Sequence, residues 1–282
     1  MIRNFQNLAD LEFAARLTKQ EGWYSETLLE LQSFFDHDPQ GCFLYERDGV
    51  PIGMCIATAY QQTGFIGELI VEKQFRHQGV GNGLMHAVIH YLQNKNLSGI
   101  FLDGVQRAIP LYEDLDFKPI CRSLRFFGQI PAVEFPDVLP MSEEDLQEVI
   151  HLDKQYFGDD RSFFLQKRWQ NYPDLALVWK QNNQIAGYLF GRVGMGGWVT
   201  AGPWVCLNDQ SADLNLLSHF QTKIGNQPFS IGILENRKSI IPQIVMAGMQ
   251  PQSDPPTRMI LGMGNNPGDN DHCCAIGSPA KG

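Results

Sequence analysis

The sequence predicts an α/β protein in which a mixed sheet flanked by helices is built twice along the chain. Three observations carry this reading. Short strand-like apolar runs are interleaved with stretches of helical period. The run at 65–71 is followed by the glycine-rich turn Arg76-His77-Gln78-Gly79-Val80-Gly81, which opens into the helix-like Leu84-Met85-His86-Ala87-Val88-Ile89. The order of elements before residue 128 then recurs after it.

Taken in order, residues 2–5 read as a strand, and 8–20 and 25–35 as amphipathic helices. Strands at 42–47 and 51–60 are joined by the turn Asp48-Gly49. The strand at 65–71, the helix at 81–94, a strand at 99–104, a helix at 108–115 and a strand at 119–127 complete the first half. In the second half, 174–180 and 184–193 flank the turn Asn182-Asn183, while 198–206, the helix 214–221 and the strand 229–234 stand in for their earlier counterparts. Locally, Ala108-Ile109-Pro110-Leu111-Tyr112 through Pro119 lies against Ile240-Ile241-Pro242-Gln243-Ile244 through Pro251. Arg125-Phe126-Phe127-Gly128 lies against the stretch from Arg258 to Gly262. The division falls near Gly128-Gln129-Ile130-Pro131, giving expected domains 1–128 and 129–282.

A strand that breaks into a glycine turn and then a helix aims free backbone N–H groups and the positive end of the helix dipole at one spot. That spot suits a phosphate. Gly79 and Gly81 answer two needs there: a side chain would be strained at positive φ, or would hold a bulky anion away from the backbone. The spacing R-x-x-G-x-G lacks both the third glycine of the dinucleotide fingerprint and the Gly-Lys-Ser/Thr of the Walker loop.

Together with the strand Ile100-Phe101-Leu102-Asp103 and the stretch from Ala108 to Phe117, this turn resembles the GNAT superfamily of acyl-CoA-dependent N-acyltransferases. Its pattern is an apolar strand, [Q/R]-x-x-G-x-[G/A] opening a helix, a second strand, and A-x-x-L-Y-x-x-x-G-F. Asp116 stands in place of the usual glycine, and asparagine or aspartate enters the left-handed region at modest cost. Val105 stands where the family often has asparagine. The resemblance implies two neighbouring strands that splay apart around a pantetheine arm, with acetyl-CoA as co-substrate and no metal. Backbone groups of Leu69, Ile70 and Val71 would hold the arm, and Arg76, His77, Gln78, Gly79, Val80, Gly81 and Asn82 the pyrophosphate. Tyr112 would protonate the departing thiolate. Glu68 is the best-placed base for the amine, with Asp103 or a water chain as alternatives, and Trp23, Tyr24 and Asp103 are expected on the acceptor side.

The second copy departs where this chemistry lies. Asn208-Asp209-Gln210-Ser211-Ala212-Asp213 replaces the glycine turn and Ile244 replaces Tyr112, so this half is not expected to bind CoA in the usual way. Its segment Phe157-Gly158-Asp159-Asp160-Arg161-Ser162 and the stretch 275–282 resemble the C-terminal acetyltransferase-like domain of certain bacterial tandem GNATs, where it would shape the acceptor site or an interface. Asp159, Asp160 and Arg161 are candidate contacts for an acceptor.

Composition narrows the partners. With 282 residues, 43% of them hydrophobic and 19% charged, the chain is long enough for two domains. A net charge of -9 argues against nucleic acid and an anionic membrane surface as partners and suits a small amine acceptor. No apolar run reaches membrane-spanning length and the first residues lack a signal-type core, so a cytoplasmic monomer or homodimer is expected. The six cysteines show no C-x-x-C pairs, His86 and His90 read as a helix face, and His272 beside Cys273-Cys274 reads as a strand end. The expected activity is acetyl transfer to a primary amine of a small molecule, such as an amino acid or a polyamine, by direct attack in a ternary complex. A CoA-binding sensor without turnover and a protein acetyltransferase are the alternatives.

Overall fold

The computed structural model describes residues 1–207 and 214–282. The turn at 208–213, expected to replace the glycine loop in the second half, lies outside the described residues. Elements follow the chain as β1 (Ile2–Asn4), α1 (Leu8–Gln20), α2 (Leu28–His37), β2 (Cys42–Arg47), β3 (Val50–Ala59), β4 (Thr63–Val71), α3 (Val80–Gln93), β5 (Gly99–Gly104), α4 (Ile109–Glu113) and β6 (Lys118–Gly128). Then come β7 (Val138–Pro140), α5 (Glu143–Phe157), α6 (Ser162–Asn171), β8 (Ala176–Gln181), β9 (Gln184–Val193), β10 (Val199–Cys206), α7 (Asn215–Ile224), β11 (Phe229–Leu234), α8 (Ile240–Met246), β12 (Gln250–Pro251), β13 (Thr257–Gly262) and β14 (Cys273–Ala275).

Local chemistry explains most boundaries. Asn7 caps α1 by accepting from the Asp10 amide, and Thr27 caps α2 through Glu30. Helices α5 and α6 were not expected from the sequence, although Ser142 and Asp145 form a reciprocal capping box at the start of α5. Asp116 sits at φ 67, and the Phe117 amide closes its turn on the Tyr112 carbonyl at 3.0 Å. The second half repeats this bond at the same length, Met249 N–H to the Ile244 carbonyl, which fixes the correspondence of the two positions.

Among the described residues fourteen strands form one sheet, with a main path β1-β2-β3-β4-β5-β13-β6-β11-β10-β9-β8-β7. The closing strands are exchanged. β13, from the second half, pairs antiparallel with β5, and β6, from the first half, pairs antiparallel with β11. The halves are therefore divided in sequence but continuous in the sheet. Arg258 on β13, fully buried, holds this exchange by donating from Nε to Asp103 on β5. Removing one partner from a buried pair of this kind typically costs about 3–5 kcal/mol. Apolar side chains fill both faces: Leu84, Val88 and Leu92 of α3 pack with Phe117 and the exchanged Met259, and Leu216, Leu217 and Phe220 of α7 pack with Phe229 and the exchanged Phe126.

In each half two parallel strands run together and then part. β4 pairs with β5 only from Thr63 to Ile66, and β10 with β11 only from Val199 to Ala201. Each first strand is irregular just beyond: β3–β4 pairing shifts around Glu68, at φ 53, and β9–β10 pairing shifts between Ala201 and Trp204. Such bulges bend a strand and end its pairing. The second gap is filled by the chain itself. β14 pairs with β10 at Trp204 and Val205, and the Ile276 amide bonds the Gly232 carbonyl of β11 at 3.0 Å. The first gap stays open.

Candidate active site

The open gap leads into a cavity of about 760 Å³. Leu69, Ile70 and Val71 line it, and from Gly67 onward the edge of β4 that faced β5 has no strand beside it. Unpaired backbone N–H and C=O groups along such an edge can take an extended polar chain as a further strand. At the far end stands the N-terminus of α3. His77 at φ 59 and Gly79 at φ 80 turn the chain into the helix, and Gly79 offers no side-chain cap, so the first helical amides are left for an external acceptor. A Cβ at Gly79 would meet no neighbour but would be strained at positive φ. A Cβ at Gly81 would fit without strain, 3.8 Å from Leu111 and Val71, yet it would take space from the cavity. The two glycines thus serve the two needs separately.

The residues expected to hold the cofactor and carry the chemistry converge on this cavity together with Trp23 and Tyr24, with two exceptions. Gln78 accepts from Arg47 at 2.8 Å and donates to the Gln74 carbonyl, while the Val80 side chain lies in the core, so only their backbones are free to act. The Arg76 guanidinium is committed to the Val71 carbonyl at 2.9 Å and to Glu21, which also accepts from Arg107 at 2.5 Å. Burial raises the pKa of Glu21, but the two arginines outweigh it and hold the group below its ordinary value. Glu21, from the loop after α1, thereby clasps both sides of the mouth.

Glu68 is 5% exposed, lines the cavity, and has an Oε2 with no hydrogen-bond partner. Burial pushes its pKa well above the usual carboxylate range, and the nearby Glu26 carboxylate adds to this, against the opposing pull of Lys281 and Arg192. Tyr112 approaches on α4, its ring admitted because Gly104 has no side chain: a Cβ there would lie 2.7 Å from the ring. Burial raises the pKa of the Tyr112 phenol, keeping it a proton donor at neutral pH.

Asp103 lines the cavity but is not available as a base. Its carboxylate accepts from Arg258, from Ser123 Oγ at 2.6 Å and from Arg125 at 3.1 Å. Burial alone would raise its pKa, and the two arginines bring it below the ordinary value. Its role is to tie β5 to the exchanged strands. Asp159, Asp160 and Arg161 are likewise absent from the cavity lining. Asp159 accepts from the Thr63 amide at 2.8 Å and its hydroxyl at 2.7 Å, and Arg161 pairs with Asp153 at 2.8 Å. His86 and His90 face solvent on α3, all six cysteines are free, and no group that could hold a metal occurs among the described residues.

The second half supplies walls that the local pattern did not announce. Trp198, Ser230 and the loop 252–256 close the side facing Trp23 and Tyr24. Pro279 and Ala280 form the floor, where a Cβ on Gly67 would lie 2.1 Å from that of Ala280. The segment is fastened by the Tyr60 hydroxyl to the Lys281 carbonyl at 2.8 Å and by Lys281 Nζ to Glu30 at 2.9 Å. Aromatic residues beginning a strand and a Gly-Ser-Pro-Ala segment carry no periodic signal that places them here. Glu26, in contrast, sits beside Trp23 and Tyr24 in sequence and could have been grouped with them.

Comparison with known proteins agrees with this geometry. Residues 5–117 match the model of the acetyltransferase (GNAT) family, and residues 149–275 match a second acetyltransferase (GNAT) domain. The chain is 26% identical over 279 residues to the uncharacterized N-acetyltransferase YitH of Bacillus subtilis, covering 95% of this chain and 93% of that one. It is 30% identical over 123 residues to the mycothiol acetyltransferase of Acidimicrobium ferrooxidans, covering 40% and 39%. A crystal structure of a Pyrococcus horikoshii protein provisionally assigned as an acetyltransferase superposes with a TM-score of 0.82 at 22% identity, over 100% of this chain and 95% of that one. No helix among the described residues is long and apolar enough to cross a membrane. With both halves matched and a cleft built between splayed strands, this chain belongs to the GNAT family: it is a GNAT-type N-acetyltransferase with tandem domains, of a family that uses acyl-CoA and an amine acceptor.

Proposed function

We propose that this enzyme transfers an acetyl group from acetyl-CoA to a primary amine of a small molecule by direct attack while both are bound. The reading rests above all on Glu68, a buried carboxyl with a free oxygen and a raised pKa at the bulge of the strand whose open edge suits a pantetheine arm. A base with these properties takes a proton from an ammonium far more readily than an ordinary surface glutamate. The cofactor supplies an activated acyl carbon at the open edge. Amides of the turn from Arg76 to Asn82 would hold the pyrophosphate, and backbone groups of Leu69, Ile70 and Val71 the arm. Glu68 takes one proton of the ammonium and passes it to solvent, and the freed amine nitrogen bonds the acyl carbon. Tyr112 gives its hydroxyl proton to sulfur as the carbon–sulfur bond breaks, and the second proton shed by the nitrogen as the amide forms returns the tyrosine to its neutral state.

Positioning two reactants can supply about 7–11 kcal/mol, whereas one acid or base adds about 10²- to 10⁴-fold. The cavity walls therefore matter more than either proton carrier. In this reading residues 1–128 carry cofactor binding and catalysis, and residues 129–282 shape the acceptor side. The covering of that side by Trp198 and the loop 252–256 supports a small acceptor over a protein lysine. The test is a screen of amines, amino acids, polyamines and peptides with acetyl-CoA, read by thiol release. Turnover with small amines is expected. Binding of acetyl-CoA with no thiol release from any acceptor would leave a CoA sensor instead.

A further inference from the structure

On the reading above the acceptor side still has to choose among amines, and its lining is specific. Glu26 and Glu68 both line the cavity, are 4% and 5% exposed, and each keeps an Oε2 without a partner. Glu26 Oε1 is satisfied, by Arg192 Nη2 at 2.9 Å and the Ser25 hydroxyl at 3.0 Å. The cations of this region lie behind: Arg168, Arg192 and Lys281 all meet on Glu30, and none of the three lines the cavity. Arg125 does line it, but its charge is matched by Asp103. Two glutamates of the lining thus each keep a buried oxygen with no donor to meet it, which is costly unless a ligand brings one.

The same space is walled by rings. Trp198 lies parallel to Phe127 at 4.8 Å and 11° and donates its indole N–H to Ser230 at 3.1 Å, so its plane is fixed. Tyr24 stands 6.1 Å from it, and Trp23 lines the cavity nearby. Fixed aromatic faces favour flat apolar bodies and cations.

We infer that the acceptor is an arylalkylamine or similar carboxylate-free amine: Glu26 and Glu68 receive its ammonium group, the Trp23, Tyr24 and Trp198 rings hold its body, and α-amino acids are rejected. A carboxylate one carbon from the ammonium would be brought against the Glu26 carboxylate, with the Arg125 charge already matched by Asp103, and like-charge juxtaposition is strongly unfavourable. Glu26 is then a specificity residue, distinct from the base Glu68.

The experiment compares tryptamine with tryptophan on the full chain, by calorimetry in the presence of CoA and by acetyl transfer from acetyl-CoA. Tryptamine is expected to bind at least about 100-fold more tightly and to react with the correspondingly higher kcat/KM. Glu26→Gln should reduce that preference by about tenfold or more while raising KM more than it lowers kcat. Because Glu26 also pairs with Arg192, Trp198→Ala serves as a second variant, and it should weaken tryptamine by about tenfold. Equal or tighter binding of tryptophan, or no binding of tryptamine, overturns the inference. Selective tryptamine binding with no acetyl transfer would sink the transferase reading and leave the recognition site standing. Transfer to both ligands at equal rates does the reverse.

Discussion

The two halves of the molecule build the same cleft and put it to opposite uses. In the first, β4 and β5 part after Ile66, the bulge holds Glu68, and the gap remains a cavity ringed by a helix N-terminus and Tyr112. In the second, β10 and β11 part after Ala201, but β14 lies in the gap, and the residue matching Tyr112 is the fully buried Ile244. A cleft between splayed strands leaves unpaired backbone groups, and these must be met by something. The first half leaves them open to the cavity, and the second meets them with its own chain. The comparison teaches that closing such a cleft in a repeated fold takes a segment of chain as well as a change of motif, since the space has to be refilled.

The sharpest way to break the comparison is to put a charge into the open cleft. Gly79→Glu places a carboxylate where an anion should sit and strains a residue at φ 80. It should abolish CoA-dependent stabilisation, which for the unaltered protein at a hundredfold excess over Kd is about 2.7 kcal/mol. Calorimetry should also find one CoA per chain, and two would mean that β14 does not close the second cleft.

Next in size is Glu68→Gln, expected to lower kcat by about 10²- to 10⁴-fold. Because the base must be ionised, kcat/KM of the unaltered enzyme should rise with pH through a value above the usual carboxylate range, and that limb should vanish in the variant. Stability should move the other way. A carboxyl whose folded pKa is raised contributes stability that is fully present below its unfolded pKa and is lost as pH rises through the folded one. Melting curves should therefore show the variant gaining on the unaltered protein from mildly acidic to alkaline pH. A variant that loses stability at every pH would assign Glu68 to packing.

Tyr112→Phe should retain CoA affinity and reduce kcat by about 10²-fold. Equal turnover would leave Tyr112 a packing residue like its counterpart. The smallest effect is expected at that counterpart. Ile244→Val removes one buried methyl and should cost about 0.5–1.5 kcal/mol of stability, with kcat unchanged. A tenfold loss of activity there would mean that the second half reaches the chemistry directly.

The local elements were legible because local chemistry sets them. The period of 8–20, the Asp48-Gly49 hairpin and the turn from Arg76 to Gly81 each specify their own geometry, and the cavity accordingly collects Glu68, Tyr112, Trp23 and Tyr24. The exchange of β6 and β13 was not legible, since both read as final antiparallel strands and nothing in either pattern names its neighbour. Asp103 illustrates the same limit. A carboxylate at the end of a strand beside the glycine turn looks available until Arg258, 155 residues away, is seen to occupy it. β14 has three residues and too little alternation to reveal that it fills a cleft.

The strand exchange also governs how the chain can fold. β5 needs β13, β11 needs β6, and the floor of the cavity hangs on a bond from Tyr60 to Lys281 across 221 residues. Contacts so distant in sequence require loop-closure entropy to be met before any stabilisation is returned, which slows the search for the native state. Neither half can nucleate a finished sheet by itself. Refolding should thus be slow and shared by both halves, with fluorescence of Trp23 and of Trp198 recovering in one phase, and an early chain is exposed at two unpaired strand edges until its distant partners arrive.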